Sequence, residues 1–162
     1  MEAALRTVYE LVTGRELPGV RLHIQPLTGL NRIKTASLKI ENPLPEYSFL
    51  NGVTVRVAVT SGLKGAAELL EEIKNGTSPY HFIEIMGCPG GCISGGGQPR
   101  PVNDAIRTLR LKAIYREDEG KMVRKSHENE DVMLLYTDFL GAPLGHKSHE
   151  LLHTVYTQRS KN

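Results

Sequence analysis

The hydrophobic period changes twice between Val53 and Met86, and that change most constrains the fold. Val53, Val55, Val57 and Val59 alternate with Thr54, Arg56 and Ala58, the two-residue repeat of a strand. The stretch runs through Thr60-Ser61-Gly62 into a helix from about Leu63 to Lys74, with Gly76 as its stop. A second strand, His81 to Met86, follows. Strand, helix and strand within about 35 residues form a βαβ unit, which requires parallel strands and a right-handed crossover. Whatever follows Met86 therefore sits at the C-terminal end of a parallel strand, where open α/β sheets place their ligands.

The flanking segments extend this unit. Leu5, Val8, Leu11 and Val12 recur at helical spacing over Glu2 to Thr13, and Gly14 marks the stop. Strands are expected at Arg21 to Gln25 and Lys34 to Glu41, before a loop at Pro43 and Pro45. Helices are expected over 102–115, 128–140 and 149–157, with Arg116 to Lys121 as a solvated connector and Ser126 as an N-cap. Lys64, Glu68, Glu71, Glu72 and Lys74 read as one wet helix face. The predicted fold class is α/β, a parallel-sheet βαβ lobe with a helical C-terminal tail, and 162 residues suffice for a real core. Lys and Arg number 20 against 18 Asp and Glu, which gives no basic surface for nucleic acid. No apolar run reaches membrane-spanning length, and Met1-Glu2-Ala3-Ala4-Leu5 lacks the pattern of a signal peptide.

Glycine and cysteine are distributed unevenly. Six of the 16 glycines lie between Gly87 and Gly97, and both cysteines, Cys88 and Cys92, lie in the same stretch. A disulfide-stapled scaffold is excluded, as is an iron–sulfur cluster ligated wholly by these thiolates. A phosphate cradle needs G-x-x-x-x-G-K-S/T. Gly91 and Gly96 meet its spacing, but Gly97-Gln98 replace the cation and the hydroxyl. A thiol redox pair usually has two intervening residues, and here there are three. Metal or cluster ligation fits better, because two thiolates on a glycine tether can reach neighbouring corners of one inorganic core. A plain glycine-rich turn with two small apolar residues is the bland alternative.

The run Glu84-x-Met86-x-Cys88-Pro89-Gly90-Gly91-Cys92-x-x-Gly95-Gly96-Gly97-Gln98-Pro99 resembles the third cysteine motif of iron-only hydrogenases. Arg124-Lys125-Ser126-His127-Glu128-Asn129, Leu135-Tyr136-x-x-Phe139-Leu140-Gly141-x-Pro143 and His149-Glu150-Leu151-Leu152-His153-Thr154-x-Tyr156 resemble the C-terminal segment of the same enzymes. The resemblance covers nearly the whole chain. It implies residues 1–115 as the C-terminal lobe of the catalytic domain and 116–162 as a small-subunit-like belt. It implies an H-cluster, a 4Fe–4S cubane joined to a diiron unit with CO, cyanide and a dithiolate. In that pattern Cys88 binds the cubane, Cys92 bridges cubane and diiron unit, Met86 packs beside the diiron unit, and Gly95, Gly96 and Gly97 wall the pocket. The family's first two cysteine motifs and its proton-relay residues belong upstream and are absent from this sequence. The expectation is a piece that supplies two of four cluster cysteines and is inactive alone, with the upstream half as partner and the cluster dependent on it. A ferredoxin or NAD(P)H-linked carrier would serve the parent enzyme. The direct run from cysteine loop to belt favours a cytoplasmic arrangement, and the belt motifs speak against the related iron–sulfur assembly proteins. A catalytically silent remnant or partner-binding piece is the other class.

His149-Glu150-Leu151-Leu152-His153 also satisfies H-E-x-x-H, the helix of zinc proteases, with His146 as a conceivable third ligand. Only nine residues follow His153, so a downstream ligand has little room, and the bland reading is a surface helix. Glu84 either braces the N–H groups of the cysteine loop or is a plain exposed strand residue.

Overall fold

A computed structural model describes residues 1–17, 33–158 and 160. The chain divides into two compact units, Met1–Arg124 and Lys125–Asn162. In the first unit, α1 (Glu2–Thr13) buries Leu5 and Val12 of the expected stripe, but Tyr9 takes the inward place between them, and Val8 and Leu11 are exposed. Gly14 ends it in the left-handed region, φ 66°, and donates its N–H to the Glu10 carbonyl at 2.8 Å. The strand expected at Arg21 to Gln25 lies outside the described residues.

Among the described residues, three strands form one sheet in the order β1-β2-β3: β1 (Ile33–Lys39), β2 (Thr54–Ser61) and β3 (Phe82–Met86). β3 pairs parallel to β2, as the βαβ reading requires, while β1 pairs antiparallel on the other side and makes the sheet mixed. Between the two strands, α2 (Leu63–Lys74) packs on β2. The side chains of β2 alternate in direction, so its two faces are covered separately. Val57 packs on Leu5, with Met1, Ala36 and Val55 around them. Ala58 and Thr60, both fully buried, point the other way, towards the face α2 covers with Ala66 and Leu69. A second cluster joins Tyr9, Val12 and Ile40 with Leu38, Tyr47 and Leu50 at the far end of α1.

α3 (Asp104–Glu119) starts at Asn103, whose side chain accepts the Ile106 N–H at 3.0 Å. It runs one turn further than its sequence suggests and absorbs much of the expected connector at 116–121. The cause is an ionic bracket at its end. Asp118 meets Arg6 of α1 at 3.0 Å and Arg124 at 2.6 Å, and Arg6 also binds Glu2 at 3.1 Å. Burial pushes the Asp118 carboxyl up, but the two guanidinium groups outweigh it and hold the acid below its ordinary range. Burial, reinforced by the Glu2 carboxylate, pushes the neighbouring Tyr115 phenol up to about 12.

The second unit is a chain of short helical pieces rather than two long helices. A 3-10 turn at Ser126–Glu128 leads into α4 (Glu130–Leu135), a π turn at Tyr136–Leu140 and α5 (His146–Leu152). The expected N-cap is corrected: Ser126 is taken into the 3-10 turn, and the Asn129 side chain caps α4 by accepting the N–H groups of Asp131 and Val132. The last helix begins earlier and stops earlier than expected. Ser148 bonds back to the carbonyls of Ala142 and Gly145 at 3.0 and 2.9 Å, fixing the entry turn, and His153 is already extended. Among the described residues no helix is long and apolar enough to cross a membrane.

Candidate cluster-binding site

The parallel register sets Met86 beside Ser61, and the Gly62 N–H donates to the Met86 carbonyl at 2.8 Å. The loop therefore leaves the sheet where β2 hands over to α2. Ser61 Oγ accepts the Gly90 N–H at 3.1 Å and ties the loop to the end of β2. Gly90 and Gly91 both have positive φ, 81° and 73°, a conformation L side chains rarely adopt. A Cβ on Gly91 would stand 3.2 Å from both Sδ and Cε of Met86, so the thioether lies directly on this glycine. The Gly91 N–H closes back on the Cys88 carbonyl at 2.9 Å, and a 3-10 turn over Cys92–Ser94 follows.

The structure brings together the residues expected at the site. Cys88 and Cys92 are free thiols and both are exposed. A Cβ on Gly95 would meet Cys88 Sγ at 3.2 Å and Cys88 Cβ at 3.5 Å, whereas Gly96 and Gly97 border open space. The glycine run thus does two things: Gly95 allows the Cys88 thiol to lie close, and the next two keep the ground beyond it clear. Glu84 does not brace the loop. It is half exposed and pairs with the α-ammonium of Met1 at 3.3 Å, and the loop N–H groups of Gly90, Gly91 and Ser94 go to Ser61, Cys88 and Gly91 instead.

Two arginines on α3 escaped the sequence reading. Arg107 Nε donates to Ser94 Oγ at 2.9 Å, and its Nη1 is held by Asp104 at 2.6 Å. Arg110 donates to the carbonyls of Ile93 and Pro99 at 2.8 and 2.6 Å. Backbone carbonyls carry no sequence signature, so the only available signal was two cations three residues apart on the helix that follows the loop.

The histidine tail does not make the zinc site. α5 ends at Leu152, and His153 stacks on His149 with ring centroids 4.0 Å apart. His146 Nδ1 faces Glu150 at 3.9 Å. Among the described residues, no three of these four groups bring donor atoms within 4.8 Å of one another.

Comparison with known proteins agrees with this layout. Residues 1–96 match the family model described as the iron only hydrogenase large subunit, C-terminal domain, and residues 104–159 match the iron hydrogenase small subunit. The NADP-reducing hydrogenase subunit HndD of Solidesulfovibrio fructosivorans is 42% identical over 99% of this chain and 26% of its own length. Iron hydrogenase 1 of Clostridium pasteurianum is 36% identical over 96% of this chain, again 26% of its length. A solved variant of the [FeFe]-hydrogenase HydA1 from Chlamydomonas reinhardtii superposes with a TM-score of 0.76 at 41% identity, covering 96% of this chain and 43% of that one. The chain spans about a quarter of the length of these curated relatives. With both family models matched in order along its length and the fold shared with a solved relative, the chain belongs to the iron-only hydrogenase family.

Proposed function

We propose that this chain supplies half of the protein ligands of an H-cluster, Cys88 and Cys92, within an enzyme that catalyses 2H⁺ + 2e⁻ ⇌ H₂. The observation that carries the reading is the loop itself: two free, exposed thiols beyond the end of a parallel strand, with Gly95 leaving no side chain against Cys88. Soft thiolate donors suit iron–sulfur ligation, and a glycine whose Cβ would collide with a ligand sulfur suits a bulky inorganic neighbour. The residues fit the group as far as they go. Two thiolates are half of a four-thiolate set, so the other two come from polypeptide outside residues 1–162. When bound, the cluster supplies the redox chemistry.

The chain's own residues bind, orient and enclose. Cys88 and Cys92 would hold the cluster, Cys88 at the cubane and Cys92 between cubane and diiron unit. Met86 offers that unit an apolar, polarisable wall, a role suited to a thioether that carries no charge. Gly95, Gly96 and Gly97 let backbone approach the cluster, and their N–H groups can tune its potential. Residues 1–115 act as the C-terminal catalytic lobe and 116–162 as the belt. The partners are the upstream half of the domain and a ferredoxin or NAD(P)H-linked carrier. The NADP-reducing relative supports the latter, and with it a cytoplasmic setting.

Iron and acid-labile sulfide analysis tests the reading. Residues 1–162 alone are expected to hold no stoichiometric cubane and to evolve no hydrogen. Combined with the upstream half and the maturation machinery they gain activity, and Cys92→Ala abolishes it. A stoichiometric cubane with hydrogen evolution from 1–162 alone, or activity surviving Cys92→Ala, would overturn it.

A further inference from the structure

The side chains of Arg107 and Arg110 converge on the cysteine loop from one face of α3. Arg110 bridges the carbonyls of Ile93 and Pro99, which bracket the Gly95–Gly97 run. Glycine loses more conformational freedom on ordering than any other residue, so a run of three needs an external brace to keep one shape. A planar guanidinium with parallel donors can hold two carbonyls at once, which a single ammonium cannot do in the same geometry. Arg107 holds the other side. It grips Ser94 Oγ, and that oxygen lies where a Cβ on Gly90 would come within 2.8 Å. The Ser94–Arg107 pair thus presses on the tether between the two cysteines, while Arg110 fixes the chain just beyond Cys92.

We propose that Arg107 and Arg110 are positioning residues that pre-set the spacing of Cys88 and Cys92 before any metal arrives. The proposal rests on the reading of the two thiols as a ligand pair. Both cysteines fall within the large-subunit match, 1–96, and both arginines fall within the small-subunit match, 104–159. A helix that carries no thiolate therefore shapes the ligand pair on the loop before it.

The probe is phenylarsine oxide added to the reduced chain, residues 1–162. It condenses with two thiols: two As–S bonds form, and both S–H protons leave with the arsenoxide oxygen as water. Mass spectrometry counts bridged adducts, and competition against a small dithiol gives Kd. Wild type is expected to bridge, and Cys88→Ser is not. Arg110→Lys and Arg110→Gln should each weaken binding about tenfold, and Ser94→Ala about threefold, through lost pre-organisation. Melting midpoints should stay within about 2 °C of wild type, since both arginines act on an exposed loop. Failure of lysine to rescue separates the two-carbonyl fork from simple charge. Wild-type Kd in both Arg110→Lys and Ser94→Ala overturns the positioning role and leaves the ligand pair standing. A wild-type chain that does not bridge overturns the ligand pair, and the proposal with it.

Discussion

Gly95→Ala separates the demands of the fold from those of the cluster. Gly95 sits at φ −77° and ψ −173°, extended backbone that alanine adopts without strain. Its new Cβ would stand 3.2 Å from Cys88 Sγ, 3.5 Å from Cys88 Cβ and 3.7 Å from the Cys92 carbonyl, so the thiol must yield by a few tenths of an ångström. In the chain alone Cys88 is exposed and can turn away. The residual cost, about 0.5–1 kcal/mol for an off-rotamer side chain, is offset by about 0.4–1 kcal/mol from the stiffer unfolded chain. Net stability should be nearly unchanged. A sulfur bonded to iron cannot turn, so the overpacking penalty of about 1–3 kcal/mol applies in full to the loaded state. At about 1.4 kcal/mol per tenfold, cluster affinity should fall between about fivefold and ~150-fold. Thermal melting of residues 1–162 and iron content after assembly with the upstream half read the two quantities separately. Gly96→Ala, where no atom lies within 4 Å, is the internal contrast: any loss there reports on the cluster and not on the loop. If Gly95→Ala loads iron as wild type does, Cys88 does not ligate from the position seen here, and the reasoning fails.

Other outcomes are expected from the framework around the loop. Asp118→Asn removes the carboxylate shared by Arg6 and Arg124 and should lower stability by about 1–2 kcal/mol, a charged hydrogen-bond value discounted for solvent access. Because the folded carboxyl is held below its ordinary range, its contribution is complete at neutral pH and disappears as pH falls through that range; acid melts of wild type should show a slope that the variant lacks. Tyr115 works in the opposite sense. A phenol held at about 12 when folded ionises more readily when unfolded, so stability should drop as pH rises above 10. Tyr115→Phe should flatten that alkaline loss, read as melting midpoint against pH above 10. Asn129→Ala should cost the second unit about 1 kcal/mol through loss of the α4 cap, measured as reduced far-UV helicity and an earlier melt.

The features legible in the sequence are those whose causes are local. The valine alternation of β2, the extent of α1 and its Gly14 stop each depend on neighbours within a turn or a pleat, and each matches the structure. The buried face of α1 was legible only in part, because packing on Val57 and Ile40 turns Tyr9 inward and leaves Val8 and Leu11 exposed. The cysteine loop was legible because its residue types carry their own chemistry. Contacts across long separations were not. α3 overran its expected end because Asp118 finds Arg6 across 112 residues, and Glu84 pairs with Met1, a residue far from it in sequence. The choice between Ser126 and Asn129 as a cap was settled by a 3-10 turn that periodicity does not reveal. Arg107 and Arg110 were missed for a different reason: their acceptors are a serine and two carbonyls, which any sequence could present.

The fastenings of the cysteine loop also set an order of assembly. Gly90 to Ser61 spans 29 residues, Arg107 to Ser94 spans 13, and Arg110 reaches Ile93 and Pro99 across 17 and 11. The ionic bracket between Arg6 of α1 and Asp118 of α3 spans 112. Closing the longer loop costs more chain entropy, and non-local contacts form late in folding. The ligand turn can therefore settle between β2, β3 and α3 before the Arg6–Asp118 bracket closes. During synthesis and maturation, a receptive pair of thiols would precede the closing of the ionic bracket between α1 and the end of α3.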